Sequence, residues 1–338
     1  MRFTDVSKVL LIVLVATVVI TNERRLWALL VAIAMSIGFH GLKAGIWFVG
    51  SGGSFMVWGP EDSFLEANNS IGLALAMNLP LLWTLAQAET NRWLKRLMLV
   101  MALFSVPATV GTYSRGAWIG MATGIVLIVL TSRRKLLLAT VLVAAAFVAI
   151  PFLPERAENR YRDLVNYQDE GSAQSRFWNW TFAWNVTKAH PLVGAGFDYY
   201  SIQAYERYYP EFMERWPGKV WSCHSSWFTI LSEHGFIGFA VWIALLLSCL
   251  LTLIRAGALR AAGGEPSLPH ASKALLLSIV TYFVPATFID AAYFELLWQL
   301  IAGVMIVSAL AARASVASVS KPVQRSGEAA VRGRAVSV

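Results

Sequence analysis

The sequence has 338 residues, of which 57% are hydrophobic and only 14% are charged, and its mean hydropathy is +0.56. Soluble globular domains carry about a quarter charged residues, so this composition excludes an ordinary soluble protein and indicates an integral membrane protein. The net charge of +8 comes from lysines and arginines scattered in short connections and in a carboxy-terminal tail. That distribution is typical of membrane topology and not of nucleic-acid binding.

Long apolar segments follow one another along the chain, each of roughly 17 to 25 residues, which is enough to cross the bilayer core as a helix. Membranes are spanned by helices or by closed barrels, and the sequence lacks the short alternating strands of a barrel. The sequence therefore predicts an all-α polytopic membrane protein with about nine transmembrane helices. The predicted spans are 7–20, 26–42, 70–88, 94–112, 116–132, 136–152, 226–254, 272–289 and 292–312.

These spans divide the chain into four parts. Residues 1–152 hold six of the predicted helices, and residues 226–312 hold the other three. Between them, residues 153–225 form one large loop that mixes charges of both signs with tryptophans and tyrosines, a composition typical of a folded helical cap on the membrane surface. Residues 313–338 are rich in Ala, Ser and Val with scattered Arg and Lys, so we expect a disordered cytoplasmic tail.

Basic residues orient the helices, because short cytoplasmic connections carry an excess of Lys and Arg. Placing alternate connections in the cytoplasm collects these basic residues there: Arg24, Arg25, Arg92, Lys95, Arg96, Arg133, Arg134, Lys135, Arg255, Arg260, Lys273 and those of the tail. The outer side then receives the acidic loop 43–69, a hairpin at Ser114-Arg115, the cap and a turn with Asp290. The amino terminus also lies outside, where its basic residues oppose the rule, so we expect further helices upstream of this sequence.

Within the cap, residues 172–184 read SAQSRFWNWTFAW and predict a helix. Ser172 or Ser175 can cap that helix, and Arg176 then lies in its first turn. A cation there is disfavoured by the helix dipole unless an anion offsets it. An anionic ligand and a surface ion pair with the acidic residues 169–170 are the two interpretations.

Arg115 differs from the other arginines of short connections, because it alone lies on the predicted outer side. The span that follows runs inwards, so its positive helix end faces the outer leaflet beside the guanidinium, an arrangement that suits an anionic ligand. A snorkelling interface anchor and the partner of a carboxylate are the alternatives.

His224 immediately precedes another span that runs from outside inwards. The helix dipole disfavours the imidazolium form at that position. A neutral imidazole is what a general base needs in order to take a proton from a hydroxyl group. A hydrogen-bonded interfacial histidine is the alternative.

Four further residues are candidates for supporting roles. Glu233, in the upper part of the seventh predicted span, is expected to orient an arginine or a histidine, or to form a structural pair. Asn69, together with Asn68, is placed to cap the third predicted span and secondarily to contact substrate. Ser114 and Ser225 stand next to the candidate arginine and histidine in the sequence.

The sequence contains no zinc-ligand spacing, no glycine-rich loop after a strand and no Gly-x-Ser-x-Gly elbow, so no metal or cofactor is expected. Cys223 and Cys249 are separated by most of one predicted span, which makes a mutual disulfide geometrically implausible. Cys223 is not expected to pair with His224 as a nucleophile, because adjacent side chains diverge.

Three stretches taken together resemble one family: TYSRGAWIG, QSRFWNWTFAWNVTKAHPLVGAGFDYY and HSSWFTILSEHGFIG. In order and spacing they are similar to the core of the O-antigen ligase and polysaccharide polymerase superfamily of bacterial inner membranes. The resemblance covers about residues 60–315, and WGPEDSFLEANNSIGLALAMNLPLL is similar to the branch of O-glycosylation ligases associated with exosortase A systems. Ser225 stands where many members have Asn after the histidine, and the resemblance leads us to expect that amino-terminal helices of full-length relatives are missing here.

The resemblance implies glycan transfer from undecaprenyl diphosphate to an acceptor hydroxyl, with inversion and without a metal. It implies that Arg115 and Arg176 bind the diphosphate and that His224 is catalytic. The implied location is the bacterial inner membrane, with the active site facing the periplasm and the carboxy terminus in the cytoplasm. The implied acceptor is lipid A-core, a protein Ser or Thr, or a polysaccharide, and the sequence leaves that choice open.

Two alternatives stay open at this point. A polysaccharide polymerase would use the same residues with a lipid-linked acceptor, so only the products distinguish it. A non-enzymatic transporter of lipid-linked sugars predicts inverted repeats or charges near the membrane midplane. The unusual charges of this sequence cluster at the predicted outer surface instead, which favours surface chemistry.

Overall fold

The structure is a computed structural model of the chain and describes residues 2–149, 171–258 and 268–319. Those residues form twelve helices. The helices are α1 (Arg2–Val19), α2 (Glu23–Gly50), α3 (Asn68–Ala88), α4 (Arg92–Gly111), α5 (Arg115–Thr131), α6 (Lys135–Ala149), α7 (Gly171–Ala189), α8 (Ile202–Tyr208), α9 (Pro210–Arg215), α10 (Ser226–Gly257), α11 (Leu268–Ala286) and α12 (Glu295–Val319).

The protein is an all-α polytopic membrane protein, as the sequence predicts. Five helices are long and apolar enough to cross a bilayer, namely α2, α3, α4, α10 and α12. The apolar helices α5 and α6 are shorter, and the predicted spans 7–20 and 272–289 fall on α1 and α11. Five of the nine predicted spans thus reach the length and hydropathy of a complete span. For α1 the reason is that Arg2, Asp5 and Lys8 occupy its first two turns.

The end of α12 differs from the prediction for the tail. The helix continues to Val319, so residues 313–319 are helical where the sequence predicts disorder. Ala, Ser and Arg extend a helix that is already formed at little cost, although they do not nucleate one. The rest of the predicted tail, 320–338, the end of the sixth predicted span, 150–152, and the first part of the predicted cap, 153–170, lie outside the described residues.

Helix α3 is the centre of the bundle and packs against α2, α4, α5 and α11. Nearly every residue from Ile71 to Ala86 is buried, as expected for a helix that is apolar all round. Its N-cap is Ala67, which makes no side-chain capping bond, so the prediction that Asn68 and Asn69 cap the helix is wrong. Both asparagines lie inside its first turn.

Helix α5 approaches α3 and α11 closely through a row of glycines at four-residue spacing. The row consists of Gly116, Gly120 and Gly124. A Cβ atom at Gly116 would lie 3.0 Å from Cδ1 of Ile289, and one at Gly120 would lie 3.0 Å from Cγ of Pro285. Small residues at this spacing let membrane helices pack backbone to backbone. The row therefore holds the start of α5, with Arg115, against the α11–α12 connection.

The connections between helices meet at two ends of the bundle. At the first end, the Leu268 N–H donates to Oε2 of Glu23 at 3.3 Å, and Nζ of Lys273 donates to the Thr131 carbonyl at 3.1 Å. We call it the basic end, because the connections predicted to be cytoplasmic meet there. At the second end, the cap end, Oγ of Ser226 donates to the Ile289 carbonyl at 2.9 Å.

The described part of the cap, residues 171–225, contains α7, α8 and α9 and has an apolar cluster of its own. The cluster is formed by Phe182, Val186, Tyr205 and Phe212, all buried. The rings of Phe182 and Tyr205 stack with centroids 3.7 Å apart. The predicted cap helix is confirmed, although α7 begins at Gly171 and is therefore longer than the sequence predicts.

The cap is fastened to α10 at a break in that helix. Gly235 has φ +65°, so α10 consists of two helical segments joined at a kink, and the kink releases backbone groups. The turn 191–196 of the cap pairs with those groups. The pairs are Ala195 N–H to Ser232 carbonyl (2.9 Å), Gly196 N–H to Glu233 carbonyl (3.0 Å) and Phe236 N–H to Pro191 carbonyl (2.7 Å). The Pro-Leu-Val-Gly-Ala-Gly and Glu-His-Gly motifs thus form one joint.

Candidate active site

A cavity of about 300 Å³ lies at the cap end, where the start of α5, the cap helix α7 and the connection before α10 meet. Its lining residues come from five separate stretches of the chain. They are Asn68, Asn69, Tyr113, Ser114, Arg115, Gly116, Ser175, Arg176, His224, Phe288 and Ile289. The three principal candidates, Arg115, Arg176 and His224, therefore face one space, although 109 positions separate the first from the last.

Arg115 is the first residue of α5 and is only 8% exposed. The preceding Ser114 is the N-cap, and its Oγ accepts from the Ala117 N–H at 3.3 Å. Tyr113 has φ +52°, a conformation that non-glycine residues seldom adopt, and Nδ2 of Asn68 donates to the Thr112 carbonyl at 2.9 Å. The turn before Arg115 is therefore strained and is held by Asn68, and it sets the direction of the Arg115 side chain.

Arg176 reaches the cavity from α7. Because α7 begins at Gly171, Arg176 lies in its second turn, so the prediction of a first-turn position is wrong. The guanidinium carbon lies 5.8 Å from the centroid of Phe288, another cavity residue, in a cation–π contact. The acidic residues 169–170, its alternative partners, lie outside the described residues.

His224 lies in the connection between the cap and α10 and has φ +48°. The backbone before it is held by two contacts from the cap. Nε1 of Trp180 donates to the Cys223 carbonyl at 3.1 Å, and the Tyr205 hydroxyl donates to the Trp221 carbonyl at 2.9 Å. Such a sparsely populated conformation persists only where the surroundings enforce it, and it commonly marks a functional position.

The electrostatic environment keeps His224 neutral. Burial is the main cause that lowers its pKa below the ordinary histidine value; the carboxylate of Asp290 acts in the opposite direction, and Arg176 lowers the pKa further. Oδ1 of Asp290 also accepts from Oγ1 of Thr229 at 3.1 Å. The sequence analysis places Asp290 in a turn on the outer side but gives it no role. The sign that could have identified it is an acidic residue in a short turn beside an apolar span.

The four supporting candidates separate into two pairs. Asn69 and Ser114 line the cavity, whereas Glu233 and Ser225 do not. Oε2 of Glu233 accepts from the Tyr293 hydroxyl at 2.7 Å, and both side chains have further interactions. Glu233 thus links α10 to the connection between α11 and α12. Ser225 is fully buried directly after His224.

The two cysteines are both buried, and no disulfide joins them. The Cys223 thiol accepts from the Tyr200 hydroxyl at 2.7 Å. Burial raises the pKa of this thiol to about 12, which leaves it protonated at neutral pH. Among the described residues, no group of three or more His, Cys, Asp or Glu side chains has the arrangement of a metal site.

The arrangement combines two guanidinium groups, the amino-terminal end of α5 and one neutral imidazole around a single space. Guanidinium groups bind phosphate oxygens through charge-assisted hydrogen bonds, and a helix amino terminus adds N–H donors. A neutral imidazole accepts a proton. The cavity is therefore suited to a phosphate-bearing substrate next to a group that loses a proton.

Comparison with protein families gives the decisive observation: residues 97–243 match the family described as O-antigen ligase. This part of the chain is an O-antigen ligase family domain. The matched residues make up somewhat less than half of the chain and include Arg115, Arg176 and His224. The O-antigen ligase domain makes the protein a glycosyltransferase-type enzyme, and the family implies transfer of a lipid-linked glycan. No curated protein matches the chain.

Proposed function

We propose that the protein transfers a glycan from undecaprenyl diphosphate to an acceptor hydroxyl, with inversion at the anomeric carbon. The observation that carries the proposal is the convergence of Arg115, Arg176 and His224 on one cavity within the O-antigen ligase domain. The diphosphate of the carrier is an anion that the two guanidinium groups can bind. The acceptor hydroxyl carries the proton that the neutral imidazole can accept.

In the proposed reaction, Arg115 and Arg176 hold the diphosphate. The bond between the anomeric carbon and the diphosphate oxygen breaks, and its electron pair stays on the diphosphate, which gains negative charge. Two guanidinium groups and the start of α5 stabilise that charge, a contribution that metal ions supply in many other phosphate-transfer enzymes. We therefore expect turnover to persist in EDTA.

His224 acts as the general base. It takes the proton of the acceptor hydroxyl while the acceptor oxygen forms its bond to the anomeric carbon on the face opposite the diphosphate. Its neutral state, favoured by burial, leaves the imidazole able to accept that proton. Asp290, which raises the pKa of His224, stabilises the imidazolium that forms.

We place the enzyme in the bacterial inner membrane with the cavity facing the periplasm. The proposal is supported by the concentration of Lys and Arg in connections at the opposite, basic end. The carboxy terminus is then cytoplasmic. The resemblance of residues 58–82 to the exosortase-associated branch favours a polysaccharide or a protein Ser or Thr over lipid A-core as the acceptor.

The test is transfer in vitro by the purified full chain, with a defined undecaprenyl diphosphate glycan and a panel of acceptors. His224→Gln and Arg115→Ala should each reduce turnover by roughly a hundredfold to ten-thousandfold. Matched controls are His190→Gln and Arg215→Ala, which change residues of the cap that do not line the cavity. The controls should keep wild-type turnover at equal expression.

Three outcomes contradict the proposal. If His224→Gln or Arg115→Ala turns over at close to the wild-type rate, the assignment of these residues to the active site is wrong. Turnover that EDTA abolishes shows that the arginine pair is insufficient. A ladder of products that stays on the carrier lipid, instead of glycan moved to a new acceptor, identifies a polymerase.

A further inference from the structure

A second cavity, of about 760 Å³, lies at the basic end between α3, α5, α6 and α11. It is far from the candidate active site. Helices α3 and α5 line both cavities, but the start of each helix lines the candidate active site and its end lines the second cavity. Its lining residues are Trp83, Thr84, Gln87, Ile128, Thr131, Ser132, Arg133, Arg134, Leu137, Leu138, Val141, His270 and Lys273. The proposed transfer reaction gives it no role.

The polar part of the cavity carries one sign of charge. Arg133 and Arg134 follow α5, while Lys273 and His270 belong to the first turns of α11. None of the described residues that line the cavity is an Asp or a Glu. Nζ of Lys273 donates to the Thr131 carbonyl at 3.1 Å, which holds the ammonium at the edge of the cavity. Such a cavity attracts an anion.

Thr84 provides an independent sign of a ligand. It is 3% exposed and lines the cavity, yet its hydroxyl has no hydrogen-bond partner in the described structure. Other helical threonines of this chain, Thr109 and Thr281, donate to the carbonyl four residues earlier at 2.7 Å. A buried hydroxyl that forgoes this bond is expected to have a polar partner, and the cavity is where one fits.

Apolar side chains form the part of the wall on α6 and the residues opposite it, and this part opens towards the membrane. Leu137 and Val141 of α6 are 57% and 54% exposed, and Ile128 and Trp83 face them from α5 and α3. The polar end lies where the spans leave the hydrocarbon, and the apolar wall continues along them. A basic end followed by an apolar wall is complementary to a lipid, which has a charged headgroup followed by acyl chains. A free anion would use only the basic end.

We propose that this cavity binds an anionic glycerophospholipid of the leaflet at the basic end. Its phosphate lies among Arg133, Arg134 and Lys273, with Thr84 as a further donor, and its acyl chains lie along α6. Basic pockets between membrane helices are a recurrent form of lipid headgroup site. Bound lipid fills the space between α6 and the α3–α11 pair.

The test measures binding of phosphatidylglycerol and phosphatidylcholine to the purified full chain by native mass spectrometry. The wild type should retain phosphatidylglycerol in preference to phosphatidylcholine. The double variant Arg133→Gln/Lys273→Gln should bind phosphatidylglycerol more than tenfold more weakly, since each basic residue near an anionic headgroup contributes roughly a fivefold factor in affinity. Thr84→Val, which keeps the shape of the side chain, should also weaken binding.

The matched control is Arg92→Gln/Lys95→Gln, which removes the same charges at the same end but outside the cavity. It should bind like the wild type. Equal weakening in both double variants would show general surface attraction and overturn the proposal. Equal binding of the two lipids, or displacement of phosphatidylglycerol by glycerol 3-phosphate alone, would also overturn it. Glycan transfer is not part of the readout, so the result is independent of the proposed function.

Discussion

The indole N–H of Trp180 donates to the carbonyl oxygen of Cys223 over 3.1 Å. Trp180 stands one turn after Arg176 on α7, and Cys223 is the residue before His224. A single cap helix therefore presents one candidate phosphate ligand and also holds the backbone of the candidate base. The Trp180 ring stacks on Phe228 of α10, with centroids 5.3 Å apart, which fixes the indole.

This contact predicts that Trp180→Phe impairs glycan transfer without unfolding the cap. Phenylalanine keeps an aromatic ring against Phe228 but loses the N–H, so the strained backbone at His224 loses the nearer of its two contacts with the cap. Misplacement of a catalytic group by about 1 Å can cost up to roughly a hundredfold in rate, and we expect a loss of tenfold or more. Initial rates with the lipid-linked donor measure it.

The control for that variant is Trp184→Phe on the same helix. Trp184 is 42% exposed and makes an edge contact with Phe236, away from the cavity. It should transfer glycan at the wild-type rate. If both variants lose activity equally, the effect of Trp180 is one of cap packing alone.

The pH dependence of transfer should reflect the lowered pKa of His224. A general base must be neutral, so kcat/KM should stay level through neutrality and fall only when the pH drops through that pKa, below the usual histidine value of about 6.5. Initial rates between pH 5 and 8 test this. A fall that begins above pH 7 contradicts a neutral base at this position.

Asp290→Asn should move the acid limb of the same profile to lower pH. The carboxylate raises the pKa of His224, so its removal lets burial and Arg176 lower that pKa further. Asparagine still offers an oxygen to Thr229, which limits structural change. Glu61→Gln, an exposed acidic residue of the 43–69 loop, is the control and should leave the limb unchanged. A shift to higher pH contradicts the electrostatic effect assigned to Asp290.

Cys223 should resist thiol reagents in the folded protein. It is fully buried, and its pKa of about 12 leaves a thiolate fraction on the order of 0.01% at pH 8. A polar maleimide should label neither Cys223 nor the buried Cys249 until the protein is denatured. Mass spectrometry of the intact chain counts the labels, and rapid labelling of Cys223 before denaturation is the contrary result.

Gly194→Ala should destabilise the joint between the cap and α10. Gly194 has φ +69°, and a Cβ there would lie 2.4 Å from the carbonyl carbon of Glu233, so alanine meets backbone strain and a backbone clash. Gly196→Ala meets the strain at φ +83° with open space around the Cβ. Unfolding followed by tryptophan fluorescence should therefore show a loss for Gly194→Ala that exceeds the control by about 1 to 3 kcal/mol. Equal losses would contradict the clash.

Much of the site could be predicted from the sequence, because charge distribution and helix direction are local properties. Alternation of the connections singles out Arg115, and positions at predicted helix starts single out Arg176 and His224. The family resemblance gives all three a role, and the fold brings them to one cavity. The helix of the cap was predictable for the same reason, since its start and end signals lie within a few residues of it.

Features that depend on contacts between distant segments were not predictable. The positive φ angles of Tyr113 and His224 are enforced by neighbours up to 60 positions away, such as Gly53, whose carbonyl accepts from the Tyr113 hydroxyl at 2.8 Å. The influence of Asp290 on His224 arises only when the α11–α12 connection folds against α10. For Glu233 the sequence leaves two interpretations open, orientation of an arginine or histidine and a structural pair, and only the fold shows that its carboxylate accepts from the Tyr293 hydroxyl.

The break at Gly235 has a consequence for how the protein is assembled in the membrane. The Ser232 and Glu233 carbonyls and the Phe236 N–H at the break are bonded to the turn 191–196 instead of within α10. Unbonded backbone groups are costly where water is scarce, so we expect the segment of α10 at the cap end to be stable only beside that turn. The turn precedes α10 in the chain, so it has been synthesised by the time the helix emerges. We therefore expect cap folding and completion of this span to be coupled during biogenesis.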